Sequence, residues 1–343
     1  MKKLLIIAFL FIGFAGALHS QQNCAVILKE AEKMFDNGVI ENVPALLDEC
    51  LKNGFSKDEK IRAYRLIIIS YLFDDKKDKA EEYMLKMLKL EPEYEINQSV
   101  DPSEFISLLD KYRTLPVYSL GVFGGVNYSA IRVTQIYGVN NVSNTAYEYN
   151  SSGMGYQFGI RVNRYIYKGF EASAEFGLAQ SNYEYIDSLY DYAVVSFDEK
   201  QTRIDIPISF TWQLELKKIK PFVRVGFNNS LMLNAFGTSV RRYTDNSHRD
   251  ITGSDIGLDE FRSKYNASVI GAIGAKYKIK RGHLFLELRY MYGLMNQVNE
   301  NNRYSSPELI YKYYYIDDDF TLNNYMLSFG YMYSFYKPKK KDI

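Results

Sequence analysis

From Gln201 to Leu216 apolar and polar residues alternate without interruption. Ile204, Ile206, Ile208, Phe210, Trp212, Leu214 and Leu216 share one parity; Arg203, Asp205, Pro207, Ser209, Thr211, Gln213 and Glu215 share the other. Side chains of a strand point to opposite faces at every second residue, so one face is apolar and the other polar and charged. The same period recurs from Leu115 onward and predicts eight strands: Pro116–Tyr128, Gly153–Tyr165, Gly169–Asn182, Gln201–Leu216, Lys220–Leu233, Lys264–Lys280, His283–Met295 and Thr321–Tyr336. Each is long enough to cross a bilayer at a tilt, which takes roughly 9–11 residues. The joins alternate between tight turns (Ile166-Tyr167-Lys168, Lys217-Lys218-Ile219, Arg281-Gly282) and long polar stretches (Ser129–Ser152, Tyr183–Lys200, Asn234–Ser263, Asn296–Phe320). That asymmetry is expected of a barrel whose two rims face different compartments, and it argues against a soluble eight-stranded barrel.

Residues 23–113 carry a different period. Helices are predicted at Ala25–Asn37, Val43–Lys52, Lys57–Phe73, Lys76–Leu90 and Pro102–Tyr112, with Gly38 and Gly54 as stops and Ser56 as an N-cap. Pro92 closes the fourth, and Asp101-Pro102 opens the fifth. The expected fold is therefore α+β in two parts. A small α-helical hairpin module (23–113) is followed by an eight-stranded antiparallel transmembrane β-barrel (115–337) and a basic tail (338–343).

Residues 1–20 read as a secretory signal: Lys2 and Lys3, the apolar run Leu4–Phe14, then Ala15-Gly16-Ala17 as a cleavage site, with a cut after Ser20 as the alternative. Gln21-Gln22-Asn23 lacks the small and apolar residues that would make Cys24 a lipid-modified cysteine. Past the signal, the longest apolar piece, Arg65–Phe73, is too short to span a bilayer as a helix. Counting from the alternation of joins, the module and the C-terminus belong in the periplasm and the long loops outside. Export makes a disulfide between the two cysteines expected, because Cys24 opens the first helix and Cys50 closes the second.

Composition narrows the function. The formal charge of +1 gives no footing for nucleic acid. Of 31 tyrosines only five precede Val117, as expected of interfacial aromatic girdles on the strands. On the polar face of the strands lie Arg161, Glu171, Glu175, Arg203, Asp205, Glu215, Arg224, Lys276, Glu287 and Arg289. An eight-stranded barrel is just wide enough for its side chains to fill it, so these charges are expected to form a paired plug. The alternative is a small porin or transporter with a narrow lumen. Tyr311, Tyr313, Tyr314 and Tyr315 form a candidate surface contact, with strand-crowning girdle residues as the competing reading.

A search for chemistry finds little. His248 and Asp250 with Asp317-Asp318-Asp319 share residue types with outer-membrane proteases, but the spacing differs, and a solvated loop is the expectation. Neither those aspartates nor Asp245, Asp250, Asp255 and Asp259 have the ordered spacing of a calcium loop. No catalytic residue, cofactor or metal is expected.

Five segments carry a resemblance: Gly121–Asn127 (G-V-F-G-G-V-N), Arg161–Ile166 (R-V-N-R-Y-I), Ile204–Ile208 (I-D-I-P-I), Leu288–Leu294 (L-R-Y-M-Y-G-L) and the last strand, Leu327–Tyr336. The strand region resembles the PorT-like outer-membrane β-barrel family of Gram-negative bacteria of the Bacteroidetes type. The last strand looks like the signal read by barrel-assembly machinery, although a basic tail follows it. Ala80–Pro92 resembles the second helix of a tetratricopeptide repeat at Ala80, Tyr83, Leu88, Leu90 and Pro92, without that repeat's tryptophan-glycine element. The resemblance implies location, the cell outer membrane, more than activity; with no catalytic residue found, the leading expectation is a non-enzymatic protein whose periplasmic helices dock a partner. Its partners would be membrane lipid, the assembly machinery during insertion and a periplasmic or envelope protein, with a secretion or gliding apparatus as the specific version.

Overall fold

The computed structural model describes residues 24–137, 147–167, 169–189, 192–216, 218–245 and 248–341. The signal segment, Lys168, Lys217 and the middle of the first long join lie outside them. The chain divides into two units, Met1–Pro116 with Tyr336–Ile343, and Val117–Phe335.

The first unit is helical: α1 (24–36), α2 (Val43–Asn53), α3 (Lys57–Phe73), α4 (Lys77–Leu90) and α5 (Ser103–Leu109). Ser56 caps α3 through a capping box: its hydroxyl accepts from the Glu59 N–H, and the Glu59 carboxylate accepts from the Ser56 N–H at 2.8 Å. These bonds hold the Glu59 carboxyl below its ordinary range. Cys24 and Cys50 are disulfide-bonded, joining the start of α1 to the end of α2. Asp101 is buried and accepts from Arg65 Nε at 2.6 Å and from the Asn97 N–H at 2.8 Å, which ties the loop before α5 to α3. The fifth helix stops short of its predicted end because Tyr112–Arg113 leaves it as a strand, β1. Its partner lies in the basic tail. Lys339–Lys340 (labelled β13 from its place in the chain) pairs antiparallel with β1, and Lys340 Nζ lies 2.7 Å from both carboxylate oxygens of Glu81.

The second unit is an antiparallel sheet closed on itself. Its strands are β2 (Pro116–Gln135), β3 (Tyr147–Asn150), β4 (Gly155–Tyr167), β5 (Phe170–Leu189), β6 (Ala193–Gln213), β7 (Ile219–Tyr243), β8 (Ile251–Thr252), β9 (Ile256–Gly257), β10 (Tyr265–Ile279), β11 (Gly282–Gly293) and β12 (Asp319–Tyr336). The order β10-β11-β12-β2-β4-β5-β6-β7, completed by β7 pairing β10, makes a ring of eight strands. At the seam of first and last strands, a Cβ on Gly121 or Gly125 would run into the Tyr331 or Leu327 carbonyl oxygen, so glycine lets β2 approach β12.

Around the ring the exposed residues are apolar and the inward ones polar, the reverse of a soluble barrel. On β12 the outward series is Tyr325, Leu327, Phe329, Tyr331, Tyr333 and Phe335; on β2 it runs from Tyr118 to Tyr128. Either stretch matches the roughly 9–11 residues that cross a bilayer.

Four strands outrun their predicted ends, and the reason is physical. Beyond this band, β5, β6 and β7 continue together, flanked by β3 on one side and by β8 and β9 on the other. There the sense of the two faces inverts. Along β6 the outward residues change from Ile204, Ile206 and Ile208 to Ser196, Asp198 and Lys200, while the inward ones change from Arg203 and Asp205 to Phe197, Val195 and Ala193. On β7 a bulge changes which residues face inward: Thr202 pairs Asn234 and Arg203 pairs Met232, leaving Leu233 unopposed and moving the inward positions to Ala235, Gly237, Ser239 and Arg241. A strand that carries first one sense of amphipathicity and then the other reads as strand plus loop, hence the expected long join Tyr183–Lys200.

The boundary makes a direct test on one face of one strand. Ile208→Arg, at an outward position that is 56% exposed, should cost about 2–4 kcal/mol in urea unfolding from phospholipid vesicles. Ser196→Arg, on the same parity beyond the band, should stay within about 0.5 kcal/mol. Equal costs would mean that the band is not wetted by lipid.

Candidate functional site

Inside the ring, strands on opposite walls aim charges at one another. Three arginines share two glutamates. Arg161 reaches Glu175 at 2.9 Å and Glu287 at 3.1 Å; Arg224 reaches the same pair at 3.0 and 3.2 Å; Arg289 does so at 2.8 and 2.6 Å. All five side chains are buried. The Arg161 guanidinium also lies 4.3 Å from the Phe285 ring centre. Charges removed from water persist only when paired this closely, and the shared carboxylates cross-brace β4, β5, β7 and β11.

The remaining lumen charges stand apart from this block. Lys276 Nζ donates to Glu171 at 2.6 Å and to Gln213 at 2.7 Å, with Asn163 also on Glu171. Arg203 donates to the Ser181 hydroxyl at 2.8 Å, and Asp205 accepts from Asn228 and Ser230 at 3.0 and 2.6 Å. Glu215 is not inside at all: it is exposed past the end of β6 and pairs with Lys220 at 2.6 Å.

A second ionic layer, missed in the sequence, crosses the inverted region. Arg262 binds Glu199 at 2.5 Å and Asp317 at 2.8 Å with both ends of its guanidinium buried, while Arg303 pairs with Asp319. Burial opposes the Arg262 charge, but Asp317 and Glu199 outweigh it and hold its pKa well above the ordinary range. Asp317, Asp318 and Asp319 are therefore buried acceptors, contrary to the solvated loop expected of them. Above this layer lies an apolar core of Phe197, Ala235, Leu258, Leu309, Tyr313 and Tyr315, in which Phe197 stacks on Tyr315 at 4.3 Å. The tyrosine run thus splits. Tyr313 and Tyr315 are 0% and 2% exposed and cannot be surface contacts, whereas Tyr311 and Tyr314 are 79% and 45% exposed. The parity of β6 carried one usable signal, since Glu199 shares the inward face with Gln201 and Arg203.

His248 lies outside the core, with Nδ1 3.1 Å from Asp245 and its ring stacked on Tyr243 at 4.9 Å. Among the described residues no group of three or more His, Cys, Asp or Glu side chains is arranged to hold a metal ion.

With the closed ring and its inverted faces established, residues 118–299 match the family model described as "Outer membrane protein beta-barrel domain". The chain belongs to that family. This outer-membrane barrel matches no curated protein. Solved structures similar to it include Neisserial surface protein A (12% identity, TM-score 0.32, covering 64% of this chain and 97% of that one) and OprG of Pseudomonas aeruginosa (10%, 0.35, 64% and 96%). Another is Ail of Yersinia pestis in complex with the heparin analogue sucrose octasulfate (9%, 0.28, 63% and 99%).

Two outcomes follow for the outer-membrane barrel. Glu287→Gln leaves three guanidiniums on one carboxylate and should cost about 3–5 kcal/mol in urea unfolding. The second concerns Asp318, whose carboxyl is pushed up to about 6 by burial, against the Tyr137 N–H and Tyr149 hydroxyl that bond its charged form. Its folded pKa exceeds its unfolded one, so the native state holds the proton more tightly. That contribution is complete below about pH 4 and is lost as pH rises to about 6 and beyond. Asp318→Asn should flatten stability across that window, as followed by unfolding midpoints at stepped pH.

Proposed function

We propose that this protein is a non-enzymatic anchor of the outer membrane, whose barrel is a plug and whose helical module docks a protein partner. The observation that carries the reading is the buried block of Arg161, Glu175, Arg224, Glu287 and Arg289 lying across the ring. The loop end supports it as well, because an apolar core lies beyond an ionic layer there among the described residues. Charges so fully engaged with one another are also poor general acids or bases.

Strict alternation of tight turns and long joins supports a periplasmic location for the module and the C-terminus, with the long joins outside. On the module itself, a hollow of about 430 Å³ lies between α2, α3 and α4, lined by Ile40, Glu41, Pro44, Tyr71, Lys79 and Tyr83. Phe73 stands exposed at the end of α3. A mixed aromatic and charged hollow of this kind suits an envelope protein segment. The tetratricopeptide-like Ala80–Pro92 and the PorT-like segments make membership of a secretion or gliding apparatus the specific form of the proposal.

Purified protein in planar lipid bilayers should show no single-channel steps; steady steps would favour the narrow porin. A photo-crosslinking residue at Phe73, introduced in living cells, should give one discrete adduct. Its absence would remove the docking half while leaving the plug intact.

A further inference from the structure

The inverted end of the sheet contains unused hydrogen-bond donors. Arg241, on the inward face of β7, is only 9% exposed, yet no carboxylate among the described residues lies within ion-pair reach of it. Its Nη1 makes one long bond of 3.4 Å to the Lys312 carbonyl oxygen, and its Nε has no partner among the described residues. The charge is held instead by three tyrosine faces: Tyr243 at 5.1 Å, Tyr314 at 5.3 Å and Tyr192 at 5.6 Å. Such contacts fall well short of what a buried guanidinium gives up in hydration.

Two further buried groups beside it are also unpaired. Ser239 precedes Arg241 by two residues on the same face of β7, and its hydroxyl has no partner among the described residues. The Tyr313 hydroxyl makes no well-aligned hydrogen bond among the described residues, although Lys312 Nζ lies over its ring at 5.2 Å, and it faces Gly253, whose N–H bonds the Ser239 carbonyl oxygen at 2.8 Å. A Cβ at Gly253 would lie 2.6 Å from that hydroxyl. Guanidinium, serine and tyrosine can all donate, and native proteins rarely leave three buried donors unsatisfied in one place.

The covering residue is strained. Tyr314 lies over the Arg241 guanidinium and adopts φ +55°, a left-handed conformation that costs a bulky residue energy and persists at sites that move or bind. Its exposed ring shares the Arg241 guanidinium with Tyr192, 42% exposed, which meets Tyr243 edge-on at 5.3 Å.

We propose that Arg241, Ser239 and Tyr313 form an oxyanion subsite gated by Tyr314, and that its ligand is an acidic sugar. The carboxylate or phosphate would take the place beneath Tyr314 against the Arg241 guanidinium, on the face of β7 that also carries Ser239. The pyranose ring would stack on Tyr192 and the displaced Tyr314, since tyrosine offers an apolar face of matching size with a polar rim. The anion alone would be met by any small oxyanion; the exposed aromatic faces beside the donors select one carried on a ring.

The test uses the full mature chain in detergent micelles, with galacturonic acid trisaccharide and glucose 1-phosphate as probes and galactose as the neutral control. Calorimetry should show saturable binding of the acids, and saturation-transfer NMR should place the sugar ring protons against aromatic side chains. Arg241→Gln should weaken binding at least tenfold. Tyr313→Phe, which removes only a hydroxyl, should weaken it several-fold with the unfolding midpoint unchanged, so a folding defect in the arginine variant would not obscure the answer. Tyr314→Gly, relieved of strain and lid, should speed association. In nanodiscs, competition by lipid-borne acidic sugar would identify the membrane as the source, and undiminished binding of the free acid would identify a soluble glycan. Equal binding of galactose, no saturable binding, or an unaffected Tyr313→Phe would overturn the site.

Discussion

Acyl chains neither donate nor accept hydrogen bonds, and everything in the barrel unit answers to that fact. Each backbone group of the crossing segments must find its partner in a neighbouring strand, which only a closed ring provides. With the lipid side given over to Val, Leu, Ile and aromatics, every polar side chain of those strands is forced inward. An eight-membered ring is then too narrow to keep those side chains hydrated. The three arginines and two glutamates are the result: a polar interior with little room for water, so that each charge must be satisfied by another.

Where the sheet leaves the band the same logic runs backwards. Water now wets the outside of β5, β6 and β7, and their inner face becomes an ordinary hydrophobic core around Phe197, Tyr313 and Tyr315. The bulge at Leu233 shifts the inward parity of β7, so that Ala235 joins that core. Between the two regimes sits the Arg262 layer, where inward polar residues give way to inward aromatic ones.

The eight crossings were legible because lipid imposes a strict period of two, and Gln201–Leu216 shows it without a break. The helices of the first unit were legible from caps, and α3 has the bounds that Ser56 and its apolar spacing predict. What failed was whatever depended on distant partners. Asp317 looked like part of a solvated acidic run because Arg262 and Glu199, which bury it, lie elsewhere in the chain. Tyr313 and Tyr315 looked like surface residues for the same reason. Residues 193–200 alternate too, but in the opposite sense, which pattern-reading with one template takes for a loop.

The pairing of Lys339–Lys340 with Tyr112–Arg113 bears on the order in which the chain can fold. The helices can collapse on local contacts, yet one edge of their unit stays bare until Lys339–Lys340, more than two hundred residues further along the chain, have been made and exported. The helical unit thus completes its two-stranded sheet only after every crossing strand of the barrel has been made. A chain cut off after its final crossing strand would carry an open strand edge at Tyr112–Arg113, the kind of edge to which another chain can add.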